Sequence, residues 1–542
     1  MMVAAVSAAQ AQHKLHTSMS HLRILWGSER TVVRQLEQIQ HASRDLTAVL
    51  DNYIKEFYDN NLDKESPDFL ENPINSYILI RQVAFGWDFV TKSLQKIIEL
   101  NEMMSNLTAR RTREMLPDEP DVDGAVEALV LLQEMYDLNT TSLLNGRVTT
   151  HFQNLDVPSS IPALTVWDGV KLGLDAVNNK NYYSGISFLE SAHRKFQAEG
   201  TFSKPYFAEN SVSLDQLSNF ITTAKLMHDK VLQKKGPRSF GHITHLVPFD
   251  KFLAKKIRTK DFKDIPIYLG DDLFQLESKD KHKQERKEAL VVTSQYKKLC
   301  QGIPLLNINY TSLLYSRYVH NNDPWLRIGP LKMTVYSFDP YIIRFNQLLS
   351  MKECQMIKEF MESRLHIPTG KVNPKSKKND WTMKHAWPVE EDSPALEMLG
   401  LRIHAATGVR TESNVHSEPF MVGNYGMGGN YNVHADFGGK SNFLSQHGDR
   451  IATVMTYLSD VRAGGATVFP YLGITSWPEV GSAMMWWNML KSGGYDHYTK
   501  HGACPVLLGE KWIGNKWIGY NGQWDILQCT KNFLEKIRSP VM

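Results

Sequence analysis

The spacing of apolar residues along the chain changes character more than once. From residue 13 to about 145 it follows a helical period. In ASRDLTAVLDNYIKEFYDN, Leu46, Leu50, Ile54 and Phe57 fall on one face with charges opposite, which predicts an amphipathic helix with Asp45 as its N-cap. GAVEALVLLQEMYDL repeats the pattern, and Pro73 and Pro117 punctuate the region. Helices of this kind either close a bundle or pair between chains, and periodicity does not separate the two.

From about 146 to 235 the pattern reads helix, short turn, helix. ALTVWDGVKLGLDAVNNKNYYSGISFLESAHRKFQAEG, with small residues at Gly173 and Ala176, is similar to one tetratricopeptide-type unit of about 34 residues. SVSLDQLSNFITTAKLMHDKVLQKK adds a further helix. Helical repeats build concave surfaces for extended peptides, so Tyr182 and Tyr183 are candidate peptide contacts, or else packing residues. KKGPRSFGH opens a predicted linker over 236–325, whose charge run LESKDKHKQERKE reads as a solvated segment.

After about 326 the period shortens. FMVGNYGM, GNYNVHAD, IATVMTYLSD, ATVFPYLG, SAMMWWNML and ACPVLLGEKWIGNKWI are short, β-branched or aromatic, and bounded by Gly, Pro, Asn or Asp. They predict a β-sandwich or jelly roll over 326–535. The helical stretches MKECQMIKEFMES and SPALEMLGLRIHAATG should pack on it. The fold class is therefore multidomain: helical domains at 21–145 and 146–235, a linker, and a strand-rich C-terminal domain.

Composition narrows the function classes. The 542 residues are too many for one core. A net charge of +3 is too mild to imply nucleic acid or an anionic membrane surface, and no stretch has the roughly 18 apolar residues of a membrane span. Residues 1–20, with Ala9-Gln10-Ala11, read as a degraded signal peptide or a disordered start. Sequons begin at Asn106, Asn139 and Asn309. The cysteines, Cys300, Cys354, Cys504 and Cys529, lack metal-ligand spacing.

The candidate chemistry lies in NYNVHADFGG. On a strand, positions two apart point the same way, so His434 and Asp436 can reach one metal. YDHYTKHGACPVLLGEKW offers His497 or His501 as a third ligand, followed by Lys511. Two imidazoles and one carboxylate with the opposite face open suit non-haem Fe(II).

NYGMGGNYNVHADF, DRIATVMTYLSDVRAGGATVFP and GACPVLLGEKWIGNKWI, in this order and spacing, resemble the α subunit of collagen-type prolyl 4-hydroxylase, a family of Fe(II)- and 2-oxoglutarate-dependent dioxygenases. LDNYIKEF, NPINSYILIRQ, SNLTARR and LPDEPDVDGAVEALVLLQEMYDL extend the resemblance over residues 20 to 530. The resemblance implies that His434, Asp436 and His501 hold Fe(II) and that Lys511 pairs with the distal carboxylate of 2-oxoglutarate. Tyr425 and Thr467 would place hydroxyls near the co-substrate, and Tyr431, Arg450 and Trp517 would lie near the peptide. L-ascorbate is the implied reductant, and C4 of a peptidyl proline the implied target. It further implies protein disulfide isomerase as β subunit, a second α chain in a heterotetramer, residence in the endoplasmic reticulum lumen, and a Cys504–Cys529 disulfide. The chain ends SPVM with no retention tetrapeptide, so retention would come from the partner.

The sequence departs from the family pattern at two places. Gly519 stands where the family has histidine, and Ser316 stands where the family has the partner of Cys300. The first departure keeps a rival open, a catalytically impaired paralogue that binds peptide or competes for the partner subunit. A lysine hydroxylase is a weaker rival.

Overall fold

The computed structural model describes residues 18–42, 47–64, 66–94, 117, 119–150, 163–208, 211–235, 292–366, 382–438, 448–532 and 534–537. The chain forms two compact units. One gathers residues 1–261 with the short segments 426–428 and 507–509, and the other gathers the remainder. Asp45, Leu46, Asn106 and the charge run lie outside the described residues.

The first unit is helical: α1 (Met19–Ala42), α2 (Thr47–Asp59), α3 (Pro73–Arg81), α4 (Trp87–Leu94), α5 (Glu119–Tyr136), α6 (Val166–Asn178), α7 (Tyr182–Glu199) and α8 (Leu214–Lys235). In α2 the buried stripe is Leu50, Tyr53 and Phe57, while Ile54 is only half-buried. The face is thus rotated toward the aromatic Tyr53, which stands edge-on to Trp87. Both predicted helical stretches share this one unit, and a buried ion network joins them. Arg81 on α3 donates to both carboxylate oxygens of Asp168 on α6, at 2.8 and 2.6 Å, and to Glu56 on α2 at 2.6 Å. Asp168 also closes a capping box with Thr165 at the start of α6, and Tyr77 donates to it at 3.1 Å. A buried guanidinium is costly unless paired, and two carboxylates here offset that cost.

Helices α6 and α7 are joined by a tight turn and touch along two glycines. A Cβ at Gly173 would lie 2.6 Å from Leu189 Cγ, and one at Gly185 would lie 2.9 Å from the Gly173 carbonyl oxygen. Tyr182 points into this packing, 5% exposed and edge-on to His228, while Tyr183 is half-buried.

The second unit carries two facing antiparallel sheets. The strands of these two sheets are β1 (Ser316–Val319), β2 (Leu331–Phe338), β3 (Tyr341–Phe345), β4 (Lys384–Ala386), β5 (Met421–Tyr425), β6 (Tyr431–His434), β7 (Arg450–Tyr457), β8 (Thr467–Phe469), β9 (Ile474–Ser476), β10 (Ala483–Trp487), β11 (His501–Ala503) and β12 (Lys511–Gly519). The large sheet runs β1-β2-β3-β10-β7-β12-β5-β4, and the small one runs β9-β8-β11-β6. The arrangement is consistent with the expected jelly roll. Strand β1 falls inside the stretch expected to be linker, because Val319 packs on the core and Ser316 pairs with Thr334.

Side-chain alternation on the large sheet explains its unbroken apolar runs. In AMMWW, Met485 and Trp487 face a core under two helices, α9 (Met351–Glu362) and α10 (Pro394–Thr407), whereas Met484 and Trp486 face the small sheet. Tyr425, Met455, Tyr457, Ile513 and Trp517 share this inter-sheet layer with Phe469.

The cysteine pairing differs from the implied one. Cys300 bonds Cys504 with Cα atoms 5.5 Å apart, Cys529 is free and exposed, and Cys354 is free and buried in the core of α9. The cause is a helix over residues 292–300 that lies on β11. Tyr296 Oη donates to the Ala503 carbonyl at 2.8 Å, and its ring occupies the space that a side chain at Gly502 would take. That docking ends the helix beside Cys504.

Replacing Gly185 by Val should force α6 and α7 apart and destabilise the helical unit by about 1–3 kcal/mol, read as a lower thermal midpoint by circular dichroism. Glu29 on α1 is 1% exposed and its Oε1 has no hydrogen-bond partner among the described residues. Burial, only partly offset by the Trp87 hydrogen bond, pushes its carboxyl up to about 8 from 4.5. The folded chain therefore holds this proton where the unfolded chain releases it, and stability present below the lower value is lost as pH rises through the upper one. Glu29→Gln should flatten that loss, adding on the order of a few kcal/mol at the alkaline end. Urea unfolding at acid and alkaline pH measures it.

Candidate metal centre and active site

Strands β6 and β11 pair so that His501 stands directly opposite His434. The Nδ1 of each ring is engaged by the chain just before it: His434 with the Asn432 carbonyl at 2.8 Å, His501 with the Thr499 carbonyl at 3.1 Å. Donation from each Nδ1 leaves both Nε2 atoms bare for a ligand. Asp436 follows β6 and meets both. Its Oδ1 is 3.7 Å from His434 Nε2, and its Oδ2 is 3.7 Å from His501 Nε2. The three ligand atoms lie within 4.8 Å of one another. Two imidazoles and one carboxylate are a donor set that fits Fe(II).

The electrostatics agree with that use. Burial and the neighbouring His501 bring His434 down to about 4, so its ring is neutral at physiological pH. Burial alone would raise Asp436, but His501, His434, Arg450 and the Thr453 hydroxyl outweigh it and hold the carboxylate ionised.

The support beneath Asp436 was not read from the sequence. Thr453 Oγ1 on β7 donates to Asp436 Oδ2 at 2.7 Å, and Asn488 Nδ2 donates to Thr453 Oγ1 at 2.9 Å. Both supports are fully buried. The available signal was a polar residue on the inward face of IATVMTY, where Met455 and Tyr457 share its side.

Lys511 opens β12 opposite Tyr425 and is 1% exposed. Its Nζ donates to Thr467 Oγ1 at 3.2 Å and lies 5.6 Å from the centres of the Tyr425 and Tyr457 rings. Burial lowers its pKa to about 7. An ammonium held by one hydroxyl and two ring faces fits an incoming carboxylate, which would restore its charge.

A third group flanks the metal ligands. Arg450 donates to both carboxylate oxygens of Glu418 and to the Asp436 carbonyl at 3.4 Å. Burial would lower its pKa, but Glu418 overrides that and raises it. The guanidinium lies 3.9 Å over the Trp517 ring, and Trp387, 40% exposed, stacks on Trp517 at 5.5 Å.

Two family models match this chain. One, the prolyl 4-hydroxylase alpha-subunit N-terminal region, covers residues 18–150, and the other, the 2OG-Fe(II) oxygenase superfamily, covers residues 420–519. Prolyl 4-hydroxylase subunit alpha-2 of Caenorhabditis elegans is 30% identical over 541 residues, spanning 95% of this chain and 93% of its own. The chain belongs to the prolyl 4-hydroxylase alpha-subunit family. Subunit alpha-1 of Homo sapiens is 30% identical, spanning 93% of this chain and 96% of its own, and subunit alpha-1 of Gallus gallus is 31% identical, spanning 96% and 99%. A viral collagen prolyl hydroxylase from Paramecium Bursaria Chlorella virus-1, solved as its 2OG complex, aligns over 33% of this chain and 94% of that one at 22% identity. Its TM-score of 0.27 is too low to inform the fold.

The other residues singled out from the prolyl 4-hydroxylase motifs divide clearly. Tyr431 is stacked on His434 with ring centres 3.6 Å apart, so it fixes the imidazole plane. His497 stays out of the triad and stands edge-on to Phe437 at 5.3 Å. Gly519 ends β12 opposite Arg450, and its N–H donates to the His416 carbonyl at 2.9 Å. Tyr182 and Tyr183 belong to the helical unit. Asn139 and Asn309 are exposed.

Thr453→Val keeps the shape of the side chain and removes the donor to Asp436. Affinity for Mn(II), a redox-silent probe, should fall about 10–100-fold by calorimetry. An isotherm that overlays the wild type would show that Thr453 does not hold the carboxylate.

Proposed function

We propose that this chain is the catalytic subunit of a procollagen-proline 4-dioxygenase. The observation that carries the reading is the joint presence of the His434, Asp436, His501 cluster and the buried cation Lys511 on facing strands. A pure binding protein needs neither. With Fe(II) bound, oxidation of 2-oxoglutarate by O2 to succinate and CO2 supplies the oxidising power that hydroxylates proline C4.

The chain's own residues then have defined work. Lys511 Nζ, steadied by Thr467, takes the distal carboxylate of 2-oxoglutarate, and the Tyr425 hydroxyl borders the same pocket. The apolar layer between the sheets keeps water away. Tyr431, Arg450 and Trp517 orient the peptide. Support comes from Trp517 Nε1, which is buried with no acceptor among the described residues and is free to donate to a peptide carbonyl. L-ascorbate would keep the metal reduced.

The remaining assignments follow the family. The stretch 146–235 would be a tetratricopeptide-like domain that binds proline-rich or collagen-like peptides, which are preformed in the polyproline II conformation. Its peptide contacts would involve Tyr183 more than the inward-facing Tyr182. The relatives are named as alpha subunits, which supports a β subunit, proposed here as protein disulfide isomerase in a heterotetramer with a second α chain. The Cys300–Cys504 bond favours an oxidising compartment, in keeping with the endoplasmic reticulum lumen. The exposed sequons at Asn139 and Asn309 are compatible with glycosylation there.

One observation favours a second reading. Gly519 leaves no side chain opposite Arg450, where the family has histidine, and a catalytically impaired, peptide-binding paralogue would tolerate that loss. Succinate release by the complex with protein disulfide isomerase, with and without a (Pro-Pro-Gly) peptide, separates the two. Peptide-dependent release is expected, and His434→Ala and Lys511→Ala should each abolish it. Metal binding without peptide-dependent release would leave the second reading standing.

A further inference from the structure

The large sheet ends in an edge flanked by exposed large apolar side chains. Strand β1 pairs with β2 on one side and with no described strand on the other. Three of its four residues, Ser316, Arg317 and Tyr318, are exposed, and Tyr318 is 71% exposed. A tight turn, with the Asp323 N–H on the His320 carbonyl at 2.8 Å, leads straight into a short helix, Pro324–Ile328. On that helix Trp325 is 80% and Ile328 84% exposed, one turn apart on the same face. Large side chains in this state usually mark an interaction surface.

We propose that β1 and the helix that follows it form the docking surface for the second subunit, and that the surface accepts an acidic protein segment laid along the open strand edge. The strand offers unpaired backbone donors and acceptors, and Tyr318, Trp325 and Ile328 supply apolar anchors beside them. The sign of the charge selects the partner. Residues 301–332 contain Arg317, Arg327 and Lys332, all exposed, and one carboxylate, Asp323. That carboxylate is already committed, since Asp323 Oδ1 accepts the N–H groups of Trp325 and Leu326 as the helix cap. A second copy of this chain would set the same basic residues against themselves, so a homodimer across β1 is disfavoured and an acidic partner favoured. The surface lies at the far end of the strand order from β12 and β5, so docking there does not consume the strands that carry Lys511 and Tyr425.

The proposal rests on the two-subunit part of the reading above and not on its catalytic part. Its test co-expresses the full chain with protein disulfide isomerase and measures the purified complex by light scattering and by calorimetry at low and high salt. Trp325→Glu with Ile328→Glu removes the anchors, and Arg317→Glu with Arg327→Glu reverses the charge. Both pairs change exposed side chains. Each should weaken the complex by at least about tenfold, wild-type affinity should fall with salt, and Mn(II) binding should be unchanged in both. No complex with the wild-type chain would overturn the subunit reading and this proposal together. A normal complex with both variants would overturn the surface alone. A wild-type chain that dimerises by itself and becomes monomeric in the Trp325, Ile328 variant would show that the occupant is a second copy.

Discussion

Everything at the metal centre depends on one register. Strand β11 meets β6 so that residue 501 stands across from residue 434. A slip of one position would turn one imidazole to the opposite face. The register is held from outside the pair as well. Gly502 lets Tyr296 lie against β11, and the Tyr296 hydroxyl ties down the Ala503 carbonyl. On its other side β11 pairs with β8, where Gly502 faces Val468. The geometry of a three-ligand site is thus inherited from backbone pairing, with the side chains contributing only their final rotamers.

Around that register the molecule concentrates unfavourable burial. Asp436 and Lys511 are removed from water and Arg450 is half-buried, and each is satisfied to a different degree. Arg450 has a two-pronged carboxylate in Glu418, and Asp436 has imidazoles and a hydroxyl. Lys511 has the least, a single hydroxyl at 3.2 Å. The helical unit shows the contrasting case. Arg81 is just as deeply placed but meets two carboxylates, Asp168 and Glu56, which marks the three as architecture. The lack of a carboxylate beside Lys511, more than its burial, sets this cation apart from Arg81 and makes it a candidate for a ligand.

The motif residues were legible because their chemistry is local. A His and an Asp two apart on a strand declare a shared side, and the switch from helical to alternating periodicity located the strand-rich half. What stayed hidden was set by tertiary contact. Thr453 and Asn488 look like ordinary strand residues until the sheet brings them behind Asp436. Glu418 and Trp387 lie in stretches with no motif at all. In α2 the helical pattern was right, yet the buried face shifted to Tyr53, because aromatic packing against Trp87 outweighed the aliphatic stripe. Four cysteines allow several pairings, and the docking of one helix on β11, invisible in sequence, determined which was made. Strand β1 is short and exposed, and short exposed strands carry almost no periodic signal.

The Cys300–Cys504 bond has a thermodynamic side as well. It joins positions 204 residues apart. In the chain-entropy account such a closure withdraws conformations from the unfolded ensemble, by roughly 5 kcal/mol at room temperature. The closed loop contains β1 through β11, His434, Asp436, His501 and Arg450, and it ends three residues beyond His501. Lys511 and the rest of β12 lie outside it. The covalent ring therefore handicaps the denatured chain for the strands of the candidate metal site as a group, while the strand that carries Lys511 joins the sheet by non-covalent pairing alone.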